Sequence, residues 1–381
     1  MGFVPLTQQV RRFRRRARQA GMLAKAFRFQ YAPIAAHLIP TRRCNLSCAY
    51  CNEYDDHSAP VPTADLVRRV DLLAALGTGI VTMSGGEPLL HPDLDTIVGH
   101  VRRRGMIATV ITNGFLLSRE RIGRLYRAGL DHLQLSIDNV TPDGVSKKSL
   151  ELLDQRLQWL AGDARFDVTI NAVVGAGIHD ADDALVIAGR AKALGFSITV
   201  GIIHGHDGRL LPLDGRLREV VQEVVGIGES TFDFANYNRF QKNVTSGRPN
   251  DWQCRAGCRY LYVCEVGLVH WCSQQRGRPG IPLERYGRED LERQYHTPKP
   301  CAPFCTVGCV HRVAQVDDLR ARPMDTLHEW FSARGDGETP RLPLSVRLLT
   351  WTFVTGPARN VFRKAAARAF GATGATGPKP H

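Results

Sequence analysis

The residues with the most chemistry in this 381-residue chain are its ten cysteines, which fall into two groups. Cys44, Cys48 and Cys51 sit on one short stretch. Cys254, Cys258, Cys264, Cys272, Cys301, Cys305 and Cys309 form the second group, with none between. No secretory signal is evident, because Lys25 and Arg28 interrupt the apolar stretch after the arginines at 11–16. Clustered thiols then point to metal over disulfides. Three thiolates on one loop can hold three irons of a cubane and leave the fourth iron open. A zinc ion would take four protein donors, or three and a water, and spacing alone leaves that reading open too.

The elements that must position these residues are legible as periodicity. Ala36–Pro40 is a short apolar run that ends just before Cys44. Leu66–Leu76 has helical spacing, and Gly79–Met83 reads as a strand closed by Ser84, Gly85 and Gly86. Further helices are expected at Leu94–Val101, Ile122–Ala128, Leu150–Leu160 and Ala184–Leu194. Further strands are expected at Ile107–Ile111, His132–Ile137, Phe166–Val174 and Ser197–Ile203. Six strand–helix alternations predict an α/β fold, a partial (β/α)6 barrel of the TIM type with a parallel sheet. In such folds chemistry collects at the C-terminal ends of strands. The polar and glycine-rich segments all fall there: the first cysteines, Gly85-Gly86-Glu87-Pro88, Thr112-Asn113-Gly114, and Ser136 with Asp138.

On these residues the chain resembles the radical S-adenosylmethionine (radical SAM) superfamily, over roughly residues 35–205. The CxxxCxxC loop with an aromatic, Tyr50, before its third cysteine is similar to that family's signature, and Gly85-Gly86-Glu87 resembles its GGE segment. The resemblance implies a 4Fe–4S cluster on Cys44, Cys48 and Cys51 whose open iron chelates SAM. Gly85, Gly86, Glu87, Thr112, Asn113, Ser136, Asp138 and Asn171 would then contact SAM, with Tyr50 near the adenine. The implied activity is reductive cleavage of SAM to a 5′-deoxyadenosyl radical that takes a hydrogen atom from substrate. For Asn171 a purely structural pairing at a strand end is an equal expectation.

The stretch from Cys254 to Cys272 resembles the opening of SPASM and twitch modules, which carry auxiliary clusters. Residues 250–312 are therefore expected to be a cysteine-rich module folded around its metal. One auxiliary 4Fe–4S cluster on Cys254, Cys272, Cys301, Cys305 and Cys309 is expected, with two clusters as the alternative. A structural zinc site on four of the seven is the bland reading. Cys258 and Cys264 are read as spare thiols that pack as small hydrophobes.

Substrate contacts are expected on the loop after strand six, where His204, His206 and Asp207 are candidates for proton transfer. Asp143, Lys147 and Lys148 read as a solvated polar loop. The net charge of +13 resides at the two ends, because residues 1–52 hold ten Lys and Arg with no acid, and residues 345–381 hold six with none. Interspersed apolar residues make these ends either solvated helices, one of them packed across the bottom of the barrel, or contacts for an anionic membrane. The expected organisation is a basic helical leader at 1–34, the barrel at 35–212, a helical linker at 213–249, the cysteine module at 250–312 and a basic tail at 313–381. The leader is too short for an independent peptide-recognition domain.

The implied enzyme is cytoplasmic or membrane-peripheral, draws electrons from a flavodoxin or ferredoxin, and acts on a peptide or small biosynthetic substrate. A lipid-like substrate and a non-catalytic metal protein are the rivals. No nucleic-acid-binding signature is visible.

Overall fold

The computed structural model describes residues 6–175, 180–204, 210, 213–228, 243–322 and 325–326, with side chains from Ala17 onward. The chain divides into two units, residues 1–314 and 315–381. The second is described only over its first residues, where Asp317 and Arg320 form an ion pair at 3.0 Å. Everything else below concerns the first unit.

Helix α1 (Leu6–Arg28) precedes strand β1 (Ala35–Thr41). Then α2 (Thr63–Ala75), β2 (Ile80–Gly85), α3 (Leu94–Arg103), β3 (Ile107–Thr112), α4 (Arg119–Ala128), β4 (His132–Ile137), α5 (Leu150–Asp163), β5 (Asp167–Val174), α6 (Asp183–Ala193), β6 (Ser197–Ile202) and α7 (Gly215–Gly228) alternate along the chain. The expected elements are all present, with ends moved by a few residues. Local chemistry sets several of those ends. The Ser118 and Ser149 side chains accept from the backbone N–H of Arg121 and Leu152 at the starts of α4 and α5, and Gly129 closes α4 in the left-handed region. Leu94, Ile97, Val98 and Val101 are all buried on one face of α3, the spacing of an amphipathic helix.

Strands β1 to β6 form a parallel sheet in sequence order, the unclosed barrel expected. Each strand buries one row against the helices, such as Leu38, Met83, Val110, Leu135 and Ile170, all fully shielded. The other row turns to the concave face and mixes polar residues with Ile39, Ile107, Ile111 and Val173. Its polar members bond to one another across neighbouring strands: Ser84 to His37 at 3.0 Å, Thr109 to Thr82 at 2.6 Å, His132 to Thr169 at 2.8 Å and Thr199 to Asn171 at 3.0 Å. Period-two alternation of strands delivers both rows from one sequence pattern.

Two features depart from the expected organisation. Helix α7 is not a spacer, because it packs on α6 and β6 and adds Val220, Val221 and Val224 to the core. The cysteine-rich segment is also not a separate body. Its strands β7 (Tyr260–Val263), β8 (Leu268–His270) and β9 (Pro279–Pro282) continue the barrel sheet. Strand β7 pairs in parallel with the free edge of β1, and β8 and β9 follow antiparallel. Two short helices, α8 (Arg288–His296) and α9 (Gly308–Ala321), complete the region.

Two buried arginines lock this extension in place. Arg259 is fully shielded and donates to the carbonyls of Phe29 at 2.6 Å, Ala32 at 2.7 Å and Ala26 at 2.5 Å, at the C-terminal end of α1. The Ala26 carbonyl is one that a helix leaves unsatisfied in its last turn, and a cation there also meets the negative end of the dipole. From the barrel side, Arg69 of α2 donates to the carbonyls of Cys264 and Glu265 in the β7–β8 turn. Gly267 leaves room for it, since a Cβ there would lie 3.0 Å from the guanidinium.

Candidate functional site

The first three cysteines occupy the loop after β1, at the C-terminal end of the sheet. The loop is held by backbone bonds from Cys44 N to Asp55 O and from Asp55 N to Arg42 O, both 2.9 Å. Donors surround the sulfurs. Leu46 N–H lies 3.4 Å and Asn113 Nδ2 3.7 Å from Cys44 Sγ, and the Ser146 hydroxyl lies 3.5 Å from Cys48 Sγ. Such contacts orient and stabilise metal-bound thiolates. Burial pushes the Cys44 thiol up and the Cys51 thiol to about 11, so a bound cation is needed to hold them as thiolates. Among the described residues, no three Cys, His, Asp or Glu side chains close on one point as a mononuclear ion requires. A cubane takes each thiolate at its own iron, and three thiols on one short loop among N–H and O–H donors are the donor set it uses.

The end of β2 is pressed against this loop. Gly86 N–H donates to Thr41 O at 3.1 Å and Glu87 N–H to Arg43 O at 2.9 Å. A Cβ on Gly86 would lie 2.2 Å from the Arg42 carbonyl, so glycine is required here by the cysteine loop itself. Glu87 is fully buried, and its carboxylate accepts from Leu89 N–H at 2.9 Å, Thr112 Oγ1 at 2.7 Å and Asn113 N–H at 2.8 Å. It ties the ends of β2 and β3 together. Asn113 then passes the link on, through Nδ2 to Asn45 Oδ1 at 2.8 Å.

Tyr50 and Asp138 meet. The Tyr50 hydroxyl donates to Asp138 Oδ2 at 2.5 Å, and the Lys148 ammonium lies 3.0 Å from Asp138 Oδ1 and 2.5 Å from the Tyr50 oxygen. Lys148 is not the solvated residue the sequence suggests. Its side chain is 11 % exposed, whereas Lys147 is exposed and Asp143 is spent on the turn, accepting from Val145 and Ser146 N–H. Burial opposes the Lys148 charge, but Asp138 and Tyr50 outweigh it and hold the ammonium above its ordinary range. Burial raises the Tyr50 hydroxyl, which stays protonated. Ser136 lies opposite Asn171 in the β4–β5 register. The Asn171 amide accepts from Thr199 and fills the space over Gly201, where a Cβ would lie 2.5 Å from its nitrogen.

The later cysteines gather. Burial raises Cys272, as do the charges of Cys254, Cys301 and Cys309. Cys305 is raised likewise, beside Cys254, Cys272 and Cys301. Burial pushes Cys254 to about 11. Cys254, Cys272, Cys301 and Cys305 thus feel one another's charge, and Cys309 reaches Cys272. Cys258 lies by Tyr286 and Lys299, and Cys264 by Arg69 and Arg276. Lys299 is a buried cation beside this group, seated over the Trp271 ring at 5.2 Å and drawn by burial to about 8.

Between the two cysteine groups runs a chain of side chains of which the sequence marks only His204. Asn52, next to Cys51, donates to Gln274 Oε1 at 3.0 Å, and Gln274 Nε2 lies 3.0 Å from His204 Nε2. An amide nitrogen can only donate, so His204 Nε2 accepts and its ring proton sits on Nδ1. Tyr262 adds a second bridge, donating to Glu53 at 2.5 Å. Neither contact carries a local sequence signal, because the partners come together only when β7 joins β1. His206 and Asp207 lie outside the described residues.

The family model of the radical SAM superfamily matches residues 38–209. A PqqA peptide cyclase of Streptomyces rochei is 33% identical over 325 residues, covering 80% of this chain and 77% of that protein. A PqqA peptide cyclase of Gluconobacter oxydans is 41% identical over 110 residues, 28% of this chain, and that match spans 31% of the relative's own length. Among solved structures, Streptococcus suis SuiB bound to its precursor peptide SuiA shares the fold, with a TM-score of 0.52 at 17% identity over 74% of this chain and 69% of SuiB. The thiol loop, the strand ends around it and a relative matched over most of both lengths lead to one assignment: the chain is an enzyme of the radical SAM superfamily, whose cofactors are a 4Fe–4S cluster and S-adenosylmethionine.

Proposed function

We propose that this enzyme oxidises a peptide at the mouth of the barrel, between the two cysteine groups. The observation that carries the reading is the chemistry of the surface there. The mouth presents the amides of Asn52 and Gln274 beside His204, and His37, Thr82, Thr109, Thr169 and Asn171 line the concave face below it. Such paired donors and acceptors match the amide groups of a peptide and would leave a lipid-like substrate against unsatisfied polar atoms. The relatives point the same way, since the matched cyclase is named for a peptide and SuiB was solved with one.

Cys44, Cys48 and Cys51 would hold the SAM-binding cluster. Cys254, Cys272, Cys301, Cys305 and Cys309 supply the ligands of one auxiliary cluster, two being the alternative. When bound, the cluster and SAM supply a 5′-deoxyadenosyl radical that takes a hydrogen atom from the peptide. Gly85, Gly86, Glu87, Thr112, Asn113, Ser136, Asp138 and Asn171, with Tyr50, form the pocket wall on the SAM side. Glu87 and Asn113 hold the strand ends against the cysteine loop, and the buried Lys148–Asp138 pair fixes Tyr50. His204 would accept the proton released as the substrate radical is oxidised, giving up its contact with Gln274 as it does so. His206 and Asp207 remain further candidates on the same loop. An auxiliary cluster on the later cysteines would take up the electron, and a flavodoxin or ferredoxin would supply the SAM-binding cluster.

The test is anaerobic reconstitution with iron and sulfide, then dithionite, SAM and synthetic peptides encoded by short reading frames beside the gene. We expect 5′-deoxyadenosine in every case, and a peptide two hydrogens lighter for the true substrate. Stoichiometric zinc with no 5′-deoxyadenosine would overturn the assignment. Nucleoside formation with turnover of a lipid extract and of no peptide would overturn the substrate class.

A further inference from the structure

We propose that the outer face of α1 docks the enzyme on an anionic membrane surface, with the floor of the barrel towards the lipid. The inner face of the C-terminal half of this helix is fixed at two points. Arg18 pairs with Asp131 at 2.8 Å, and Arg259 holds the carbonyls of Ala26 and Phe29. Between them Met22 fills the space over Gly79, where a Cβ would lie 2.4 Å from it, and Ala26 is 5 % exposed. Asp131 and Gly79 immediately precede β4 and β2, so α1 lies on the N-terminal ends of the strands, opposite the loop that bears Cys44, Cys48 and Cys51.

What this leaves outside is apolar and basic. Leu23 and Phe27, one turn apart, are 44 % and 38 % exposed, with Phe29 at 39 % just beyond the helix end. Lys25 and Arg28 are exposed around them, and residues 1–28 contain eight Lys and Arg with no acid. The charge selects an anionic partner. The leucine and phenylalanines select a lipid interface over a phosphate backbone, since each would enter the acyl boundary while the cations stay at the headgroups. Among the described residues no helix is long and apolar enough to cross a membrane, so the contact is a surface one. It also turns the mouth of the barrel to the water, where a peptide arrives. This inference does not rest on the peptide reading.

The experiment is flotation of the full-length reconstituted enzyme with vesicles of phosphatidylcholine alone, or with about 30% phosphatidylglycerol. We expect at least about tenfold more protein on the anionic vesicles, lost in high salt. The double variant Leu23→Ser, Phe27→Ser should lose most of that binding at unchanged iron content and circular dichroism. The pair Lys25→Gln, Arg28→Gln should weaken it independently. Equal flotation on both vesicle types overturns the proposal, as does undiminished flotation of both double variants. Wild-type protein that stays off the vesicles and elutes as a dimer, which the Leu23, Phe27 variant dissolves, assigns the face to a second copy instead.

Discussion

The Lys148 ammonium stands 3.0 Å from the Asp138 carboxylate, with both side chains withdrawn from solvent. Tyr50, inside the cysteine loop, donates to the same carboxylate. The pair is therefore the point at which the loop carrying the first cysteines is tied to the end of β4. Removing one partner strands the other charge in a dry site, which costs roughly 3–5 kcal/mol. Lys148→Met should destabilise the fold by about that amount in denaturant titration. The double change Lys148→Met, Asp138→Leu should recover much of it, because no lone charge remains. Additive losses in the double variant would show that the two side chains act separately.

The cysteine loop should respond to Gly86 as much as to its own thiols. Changing Cys44, Cys48 and Cys51 to alanine is expected to remove about four irons per chain and abolish 5′-deoxyadenosine. Gly86→Ala keeps every thiol but drives a methyl into the Arg42 and Arg43 carbonyls. Iron retention after desalting should fall along with the melting temperature. Full iron content in Gly86→Ala would mean that the loop can shift at no cost.

Acid should weaken the protein through His37. Burial on the concave face lowers this imidazole from 6.5 to about 4, with its Nδ1 3.0 Å from the Ser84 hydroxyl. The unfolded chain then binds a proton that the native state refuses, so stability rises with pH across this interval and is lost as pH falls from about 6.5 to about 4. After discounting for partial exposure, the loss is on the order of 2–3 kcal/mol. Unfolding free energies measured from pH 7 to pH 4 should fall less steeply for His37→Gln. Parallel slopes for variant and wild type would remove His37 as the cause.

Much of this architecture is readable in the sequence, and the exceptions share a cause. Strands β1 to β6 announce themselves because each alternates with a helix, and the catalytic end is marked by glycines and asparagines after them. Strand β7 does not, since Tyr260–Val263 is only four residues and is defined by pairing with an edge far back in the chain. The same distance hides Gln274 from Asn52, and Arg259 from α1. Lys148 was misread because a lysine beside a lysine looks solvated until Asp138 and Tyr50 are brought to it.

Arg259 offers a direct measure of that long-range assembly. Arg259→Met takes this donor from the carbonyls of Ala26, Phe29 and Ala32, of which the Ala26 contact is buried, a cost of about 1–3 kcal/mol. Limited proteolysis should then cut near residues 25–33 well before the barrel is digested. Unchanged protection of that segment would show that Met22 and Arg18 suffice to hold the helix.

Pairing of β7 with β1 also sets a clock for biogenesis. On the ribosome β1 emerges early, and its outer edge stays an open row of N–H and C=O groups until Tyr260 is made, over two hundred residues later. At roughly 5–20 residues per second that wait lasts on the order of ten to forty seconds. Throughout it the loop bearing Cys44, Cys48 and Cys51 is anchored on one flank only. The nascent chain therefore passes through a stage in which its first thiols are accessible to iron–sulfur delivery and its longest unpaired strand edge is open to the wrong partner, and synthesis of β7 ends both conditions at once.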